Sequence, residues 1–168
     1  LTPSVVGLDL SLTATGFAHE NASGVLTTKL RGMERLADLR ERVRQICIGA
    51  DLVVIENYSF NSRQGGEHLG ELGGVVRLML HETEHPYVEL SPAKLKKLAT
   101  GKGNANKSEV LAAAIRRLDY PGANDNESDA MWLRVAGLIG LGFAPVELPL
   151  THLAALDDVT WPALVGVS

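Results

Sequence analysis

Three short strand-like runs precede the first helical stripe in this chain, and that order constrains its fold more than any single residue does. Val5, Gly7 and Asp9 fall on one face of the first run, with Val6, Leu8 and Leu10 on the other. Thr15-Gly16 leads into a second run at about 16–20, and Gly24 opens a third that extends to about Leu30. Leu36, Leu39, Val43 and Ile46 then recur at spacings of three and four, which predicts an amphipathic helix with arginines on its outer side. Asp51–Glu56 reads as a buried central strand. A helix over 66–82, a strand over 86–90 and helices over 92–99, 107–118 and 127–141 follow, with Ser91-Pro92 as N-cap and first-turn pair. The expected architecture is α/β: a mixed five-stranded sheet, a three-stranded meander then alternating elements, flanked by helices. A simple doubly wound fold would put a helix after every strand.

At 168 residues the chain is long enough for one substantial domain. Residues 1–142 carry the elements above. From Phe143 the periodicity weakens, and 143–168 reads as a C-terminal extension of the same domain.

Three acids stand at chosen places in this frame. Asp9 lies inside the first apolar strand, Glu56 ends the central one, and Asp129 falls in the first turn of the last long helix. A charge amid Val, Leu and Gly in a buried strand is expensive without a partner. Carboxylates gathered from strand ends and a helix start make an oxygen-rich pocket of the kind hard divalent cations prefer. The histidines at 19, 68, 81, 85 and 152 show no metal-ligand spacing.

The net charge of −4 means that polyanion binding has to come from a local patch. The segment SPAKLKKLATGKGNANKSEV supplies one, with Lys94, Lys96, Lys97, Lys102 and Lys107 and no acid between the first and last of them. Arg31, Arg35, Arg40, Arg42 and Arg44 form a second candidate. Cys47 is the one cysteine, so no intramolecular disulfide or cysteine-based zinc site forms, and it reads as a buried core thiol. No apolar run reaches membrane-spanning length and no signal pattern opens the chain, which points to the cytoplasm, the host's if the gene is viral, and away from any membrane partner.

These motifs resemble those of RuvC-type Holliday junction resolvases. GLDLSLTATGFA is similar to the family's opening Asp-strand and Thr-Gly turn, and VVIENYSF to its strand ending in Glu. The lysine motif matches with Lys96 and Lys107 eleven residues apart and Gly101 and Gly103 between them, and NESDAMWL resembles the closing pair of acids. The resemblance implies a ribonuclease-H-like fold and a crossover junction endodeoxyribonuclease acting on four-way or other branched DNA. It also implies two Mg²⁺ or Mn²⁺ ions per site and a homodimer.

Two positions depart from the family pattern, as in a divergent or phage-encoded member. The fourth metal ligand, usually Asp or His, is Asn126, so Asp125 or Glu127 could supply the charge. The aromatic that would wedge into the junction is Ser59, flanked by Tyr58 and Phe60.

Phosphodiester hydrolysis by two cations assigns Asp9 the bridging position, with Glu56 and Asp129 holding one ion each. Lys107 would balance charge at the scissile phosphate and Lys96 would contact a flanking one. Two other functions compete: an actin-like phosphate-binding ATPase, which shares the first motif, and a non-catalytic branched-DNA binding module with a degenerate site, which Asn126 favours. The glycines at 66, 70, 73 and 74 weaken a helix by about 1 kcal/mol each relative to Ala. They imply close backbone approach, either of a second copy or of the helix's own sheet.

Overall fold

The computed structural model describes residues 2–57 and 66–163, with side chains of the second helix described from residue 70. Tyr58 and Phe60 lie outside the described residues. Strands β1 (Val5–Asp9), β2 (Thr15–Ala18), β3 (Ser23–Leu26), β4 (Leu52–Glu56) and β5 (Tyr87–Leu90) form one sheet in the order β3-β2-β1-β4-β5. β1 runs antiparallel to β2, and β2 to β3, while β1, β4 and β5 are parallel. The expected five-stranded mixed sheet is present.

Among the described residues, six helices surround it: α1 (Gly32–Cys47), α2 (Gly66–Glu82), α3 (Pro92–Thr100), α4 (Lys107–Arg117), α5 (Asp125–Gly140) and the short α6 (Leu150–Leu153). Side-chain alternation along β1 and β4 divides the interior into two cores. Val6, Leu8, Val53 and Ile55 pack with Leu39, Val43, Leu72 and Met79 of α1 and α2. Val5, Val54 and Leu90 pack on the opposite face with Leu98, Trp132 and Leu133 of α3 and α5. Cys47 is fully buried in the first of these cores, and that burial pushes its thiol up to about 12.

Several boundaries differ from the expected ones for local reasons. The β2–β3 hairpin closes early because the His19 amide donates to the Ala22 carbonyl at 2.8 Å. β3 stops at Leu26, and beyond it the Thr27 carbonyl accepts from Arg42 at 2.7 Å, turning the chain toward α1. α5 begins at Asp125 rather than 127, because the Asn124 side chain caps it by accepting from the Glu127 amide at 3.0 Å. Asp129 is therefore one full turn inside the helix rather than in its first turn, and the helix dipole explains less of its presence.

The C-terminal segment packs closely on the α3–α5 side. His152, Ala155 and Leu156 are buried, and Phe143, Val146, Leu148 and Trp161 pack against the same core.

Candidate active site

Register sets the first two acids side by side. β1 and β4 pair Gly7 with Val54 and Leu8 with Ile55, so one step further along these parallel strands Asp9 stands beside Glu56. Both occupy the face of Val5, Gly7 and Val54, the face that α5 covers. Glycines let the helix come down onto that face. A Cβ on Gly7 would sit 2.1 Å from the Ala130 carbonyl oxygen, and one on Gly16 would sit 2.0 Å from that of Asn126. No larger residue leaves room for the first half of α5 to lie directly on β1 and β2, and that contact carries Asp129 to the ends of the strands.

The turn after Asp9 is tied twice. Thr15 Oγ1 donates to the Ser11 carbonyl at 2.6 Å and accepts from the Ser11 amide at 3.0 Å. Asn126 Nδ2 donates to the Ala14 carbonyl at 2.8 Å, fastening the same turn to the first turn of α5.

The three acids feel one another. Asp9 is 3 % exposed. Burial, then the charges of Asp9 and Asp129, raise Glu56 to about 8, against the lowering influence of Lys96 and then Lys107. Burial, then Asp9, raise Asp129 to about 7, with Lys107 ahead of Lys96 in opposing the shift and Asp125 adding to it. Lys96 thus bears more on the Glu56 end of the cluster and Lys107 more on the Asp129 end. Lys107 Nζ lies 2.6 Å from Asp125 Oδ2, an ion pair that holds the Asp125 carboxyl below its usual range and the lysine above its own.

Other candidates are placed differently. Glu127 is held away from the cluster, its two oxygens accepting from Ser23 Oγ and from the Tyr120 hydroxyl at 2.7 Å each. Lys94 pairs with Asp158 and so ties down the C-terminal segment. Lys102 faces Glu109 at 3.8 Å and stays largely exposed. Lys97 projects from α3 toward the side of Asp158, whose charge it stabilises. The arginines of α1 are mostly spent within the chain: Arg40 on Glu82, Arg42 on Asp38, Arg44 on Glu41 and Arg35 on the Leu30 carbonyl. That second candidate patch is therefore largely neutralised. Sequence reasoning missed the Ser23 and Tyr120 bonds to Glu127, because partners so distant in the chain leave no local pattern.

Among the described residues, no three His, Cys, Asp or Glu side chains already close around a single cation position. The chemistry of the donor set nevertheless suits hard cations. Glu56 and Asp129 are destabilised as anions by burial and by neighbouring carboxylates, which is the electrostatic deficit that a divalent ion removes.

Several known proteins are similar to this chain. A Carboxydothermus hydrogenoformans crossover junction endodeoxyribonuclease RuvC is 29% identical over 128 residues, covering 73% of this chain and 81% of that protein. The Parasynechococcus marenigrum (strain WH8102) enzyme of the same name is 27% identical over 150 residues, covering 79% and 96%. Among solved structures, T. thermophilus RuvC in complex with Holliday junction substrate superposes with a TM-score of 0.70 at 17% identity, covering 94% of this chain and 98% of that one. This likeness shows that the two share the ribonuclease-H-like fold. The profile of the crossover junction endodeoxyribonuclease RuvC family matches residues 5–136, and the chain belongs to that family.

Proposed function

We propose that the protein is a divalent-metal-dependent endonuclease that nicks four-way DNA junctions, with Asp9, Glu56, Asp129 and Asp125 as its acidic set. The observation that carries this reading is the convergence of Asp9 and Glu56, at matched ends of parallel strands, with Asp129 from the helix above them. Mg²⁺ or Mn²⁺, two ions per site, would supply Lewis-acid stabilisation of the attacked phosphate and a more acidic attacking water. Asp9, central between the other acids, would hold the ions together with Glu56 and Asp129.

Asp125 is our choice for the fourth acid. It precedes Asp129 by four residues on one helix face, and its charge reaches Asp129. Asn126 donates Nδ2 to the Ala14 carbonyl and its remaining Oδ1 is uncharged, while Glu127 is held by Ser23 and Tyr120. Lys107 would leave Asp125 for the scissile phosphate. Their ion pair is largely exposed and worth roughly 0–1 kcal/mol, so the exchange is easy. Lys96 would hold a second phosphate oxygen near Glu56. Lys97, Lys102, Tyr58 and Phe60 remain candidates for contacts outside the cluster.

A second copy completes the assembly. Resolution of a four-way junction needs two symmetric nicks, which a two-fold dimer provides. Support comes from α2: a Cβ on Gly70 or Gly74 would meet nothing within 4 Å, and one on Gly73 only the Arg77 side chain. Gly70, Gly73 and Gly74 thus press on no sheet residue among the described ones, and they lie on the same helix as exposed Leu78.

The test is a substrate panel of four-way junction, linear duplex and RNA–DNA hybrid, each with Mg²⁺ and with Mn²⁺. We expect nicking of the junction well above that of the duplex and hybrid. Binding of the junction with no nicking in either metal would favour the non-catalytic module instead.

A further inference from the structure

Two adjacent arginines stand outside the charge pairing seen elsewhere. Arg116 and Arg117 close α4, and neither makes a hydrogen bond or ion pair with any described residue. Both line a groove of about 470 Å³ that runs along α4, with Thr100, Lys102 and Ser108 also on its walls. Glu109 is the one acid among the lining residues, and its charge is already engaged. It accepts from the Asn106 amide at 2.8 Å in a capping box and faces Lys102. The groove therefore carries a surplus of positive charge on a chain whose net charge is −4.

The C-terminal segment forms the far wall and is fixed there. His152 Nδ1 lies 2.8 Å from the Leu98 carbonyl. A carbonyl can only accept, so the ring hydrogen sits on Nδ1 and ties α6 to α3. Lys94 adds bonds to Asp158 and to the Ala155 carbonyl. The groove is thus bounded by ordered elements on both sides.

Paired guanidinium forks beside the exposed Ser108 hydroxyl suit phosphate oxygens, the Thr100 hydroxyl being already spent on the Lys96 carbonyl. Position along α4 says which phosphates. Lys107 opens the helix beside the carboxylates, and Arg116 follows nine residues later. At 1.5 Å rise per residue that is about 14 Å. Phosphates of one strand advance about 3.4 Å per base pair, so the arginines lie roughly four base pairs from the cluster.

We propose that the groove between α3, α4 and α6 grips the backbone of a duplex arm about four base pairs from the scissile bond, through Arg116 and Arg117. The inference rests on the reading of the site as a junction nuclease. It gives the C-terminal segment a part in recognition, as the wall that shapes the contact.

The test uses the full chain in chelator, binding a four-way junction over a range of salt. The variants are Arg116→Gln with Arg117→Gln, and Arg116→Lys with Arg117→Lys. A second junction carries neutral methylphosphonates three to five base pairs from the branch. The Gln pair should lower the slope of log affinity against log salt by about 1.8, at about 0.9 per phosphate contact, and the Lys pair should keep the wild-type slope. On the modified junction the wild type should already show the lower slope, with no further loss in the Gln pair. If the Gln pair melts early, Arg116→Gln alone, at an exposed site, should lower the slope by about 0.9. Wild-type affinity and slope in the Gln variants overturn the proposal, as does an equal loss on both junctions. A wild-type protein that neither binds nor nicks the junction removes the nuclease reading and this inference together. One that binds and nicks normally, with the Gln variants unchanged, removes only this inference.

Discussion

Two carboxyls of the cluster hold protons unusually tightly, and that has a measurable consequence for the metal-free protein. Glu56 is raised from 4.5 to about 8 and Asp129 from 3.8 to about 7. The unfolded chain releases these protons near pH 4, while the folded chain keeps them until about pH 7–8. Folding therefore takes up protons across that window, and stability falls as pH rises through it. The contribution is fully present below the unfolded values and is gone above about pH 8. In chelator, melting temperature should fall between about pH 5 and pH 8 more steeply for the wild type than for Glu56→Gln with Asp129→Asn. Mn²⁺ should restore the wild type at the upper end, since ligands bind deprotonated. Parallel melting curves for the two proteins in chelator would show that the acids are not coupled as described.

Among the elements, α5 has the greatest influence on the site, and Gly7 and Gly16 set its height above the sheet. A methyl group at Gly16 would lie 2.0 Å from a backbone carbonyl oxygen, and backbone cannot yield as a flexible side chain does. Gly16→Ala should destabilise the fold by about 1–3 kcal/mol, the usual range for overpacking, and should also lower nicking at temperatures where the protein stays folded. Chemical denaturation followed by a nicking assay reads both effects, and a variant with wild-type stability and rate would contradict the role assigned to Gly16. Much of this frame was legible in the sequence. The apolar runs located β1, β4 and β5, and Asp9 stood out because a charge in a buried strand needs a reason. The start of α5 was harder to read, since Asn124, Asp125 and Asn126 are all cap-type residues and only the Glu127 amide's donation to the Asn124 side chain selects one. The division of labour among Asp125, Asn126 and Glu127 was not legible either. It depends on Ala14, Ser23 and Tyr120, which reach α5 only through the tertiary fold. Arg116 and Arg117 carry no sequence signal beyond two basic residues at a helix end, and the groove beside them forms only in the fold.

For the whole molecule, the open face of α2 predicts association. A Cβ at Gly74 would meet no described residue within 4 Å, so Gly74→Glu should leave monomer stability near wild type while placing charge on the proposed dimer face. Light scattering should give about twice the 18.0 kDa chain mass for the wild type and about one mass for the variant. A variant that remains dimeric would move the interface elsewhere. Among the described residues, no helix is long and apolar enough to cross a membrane. The account as a whole turns on Asp9 serving cations rather than structure. Single-turnover nicking of a four-way junction by Asp9→Asn in Mg²⁺, with junction affinity measured in parallel in chelator, tests this most directly. The predicted result is loss of nicking to background with affinity equal to or tighter than wild type, because removing an acid lessens repulsion of phosphate. Wild-type nicking by this variant would contradict the assignment of the site.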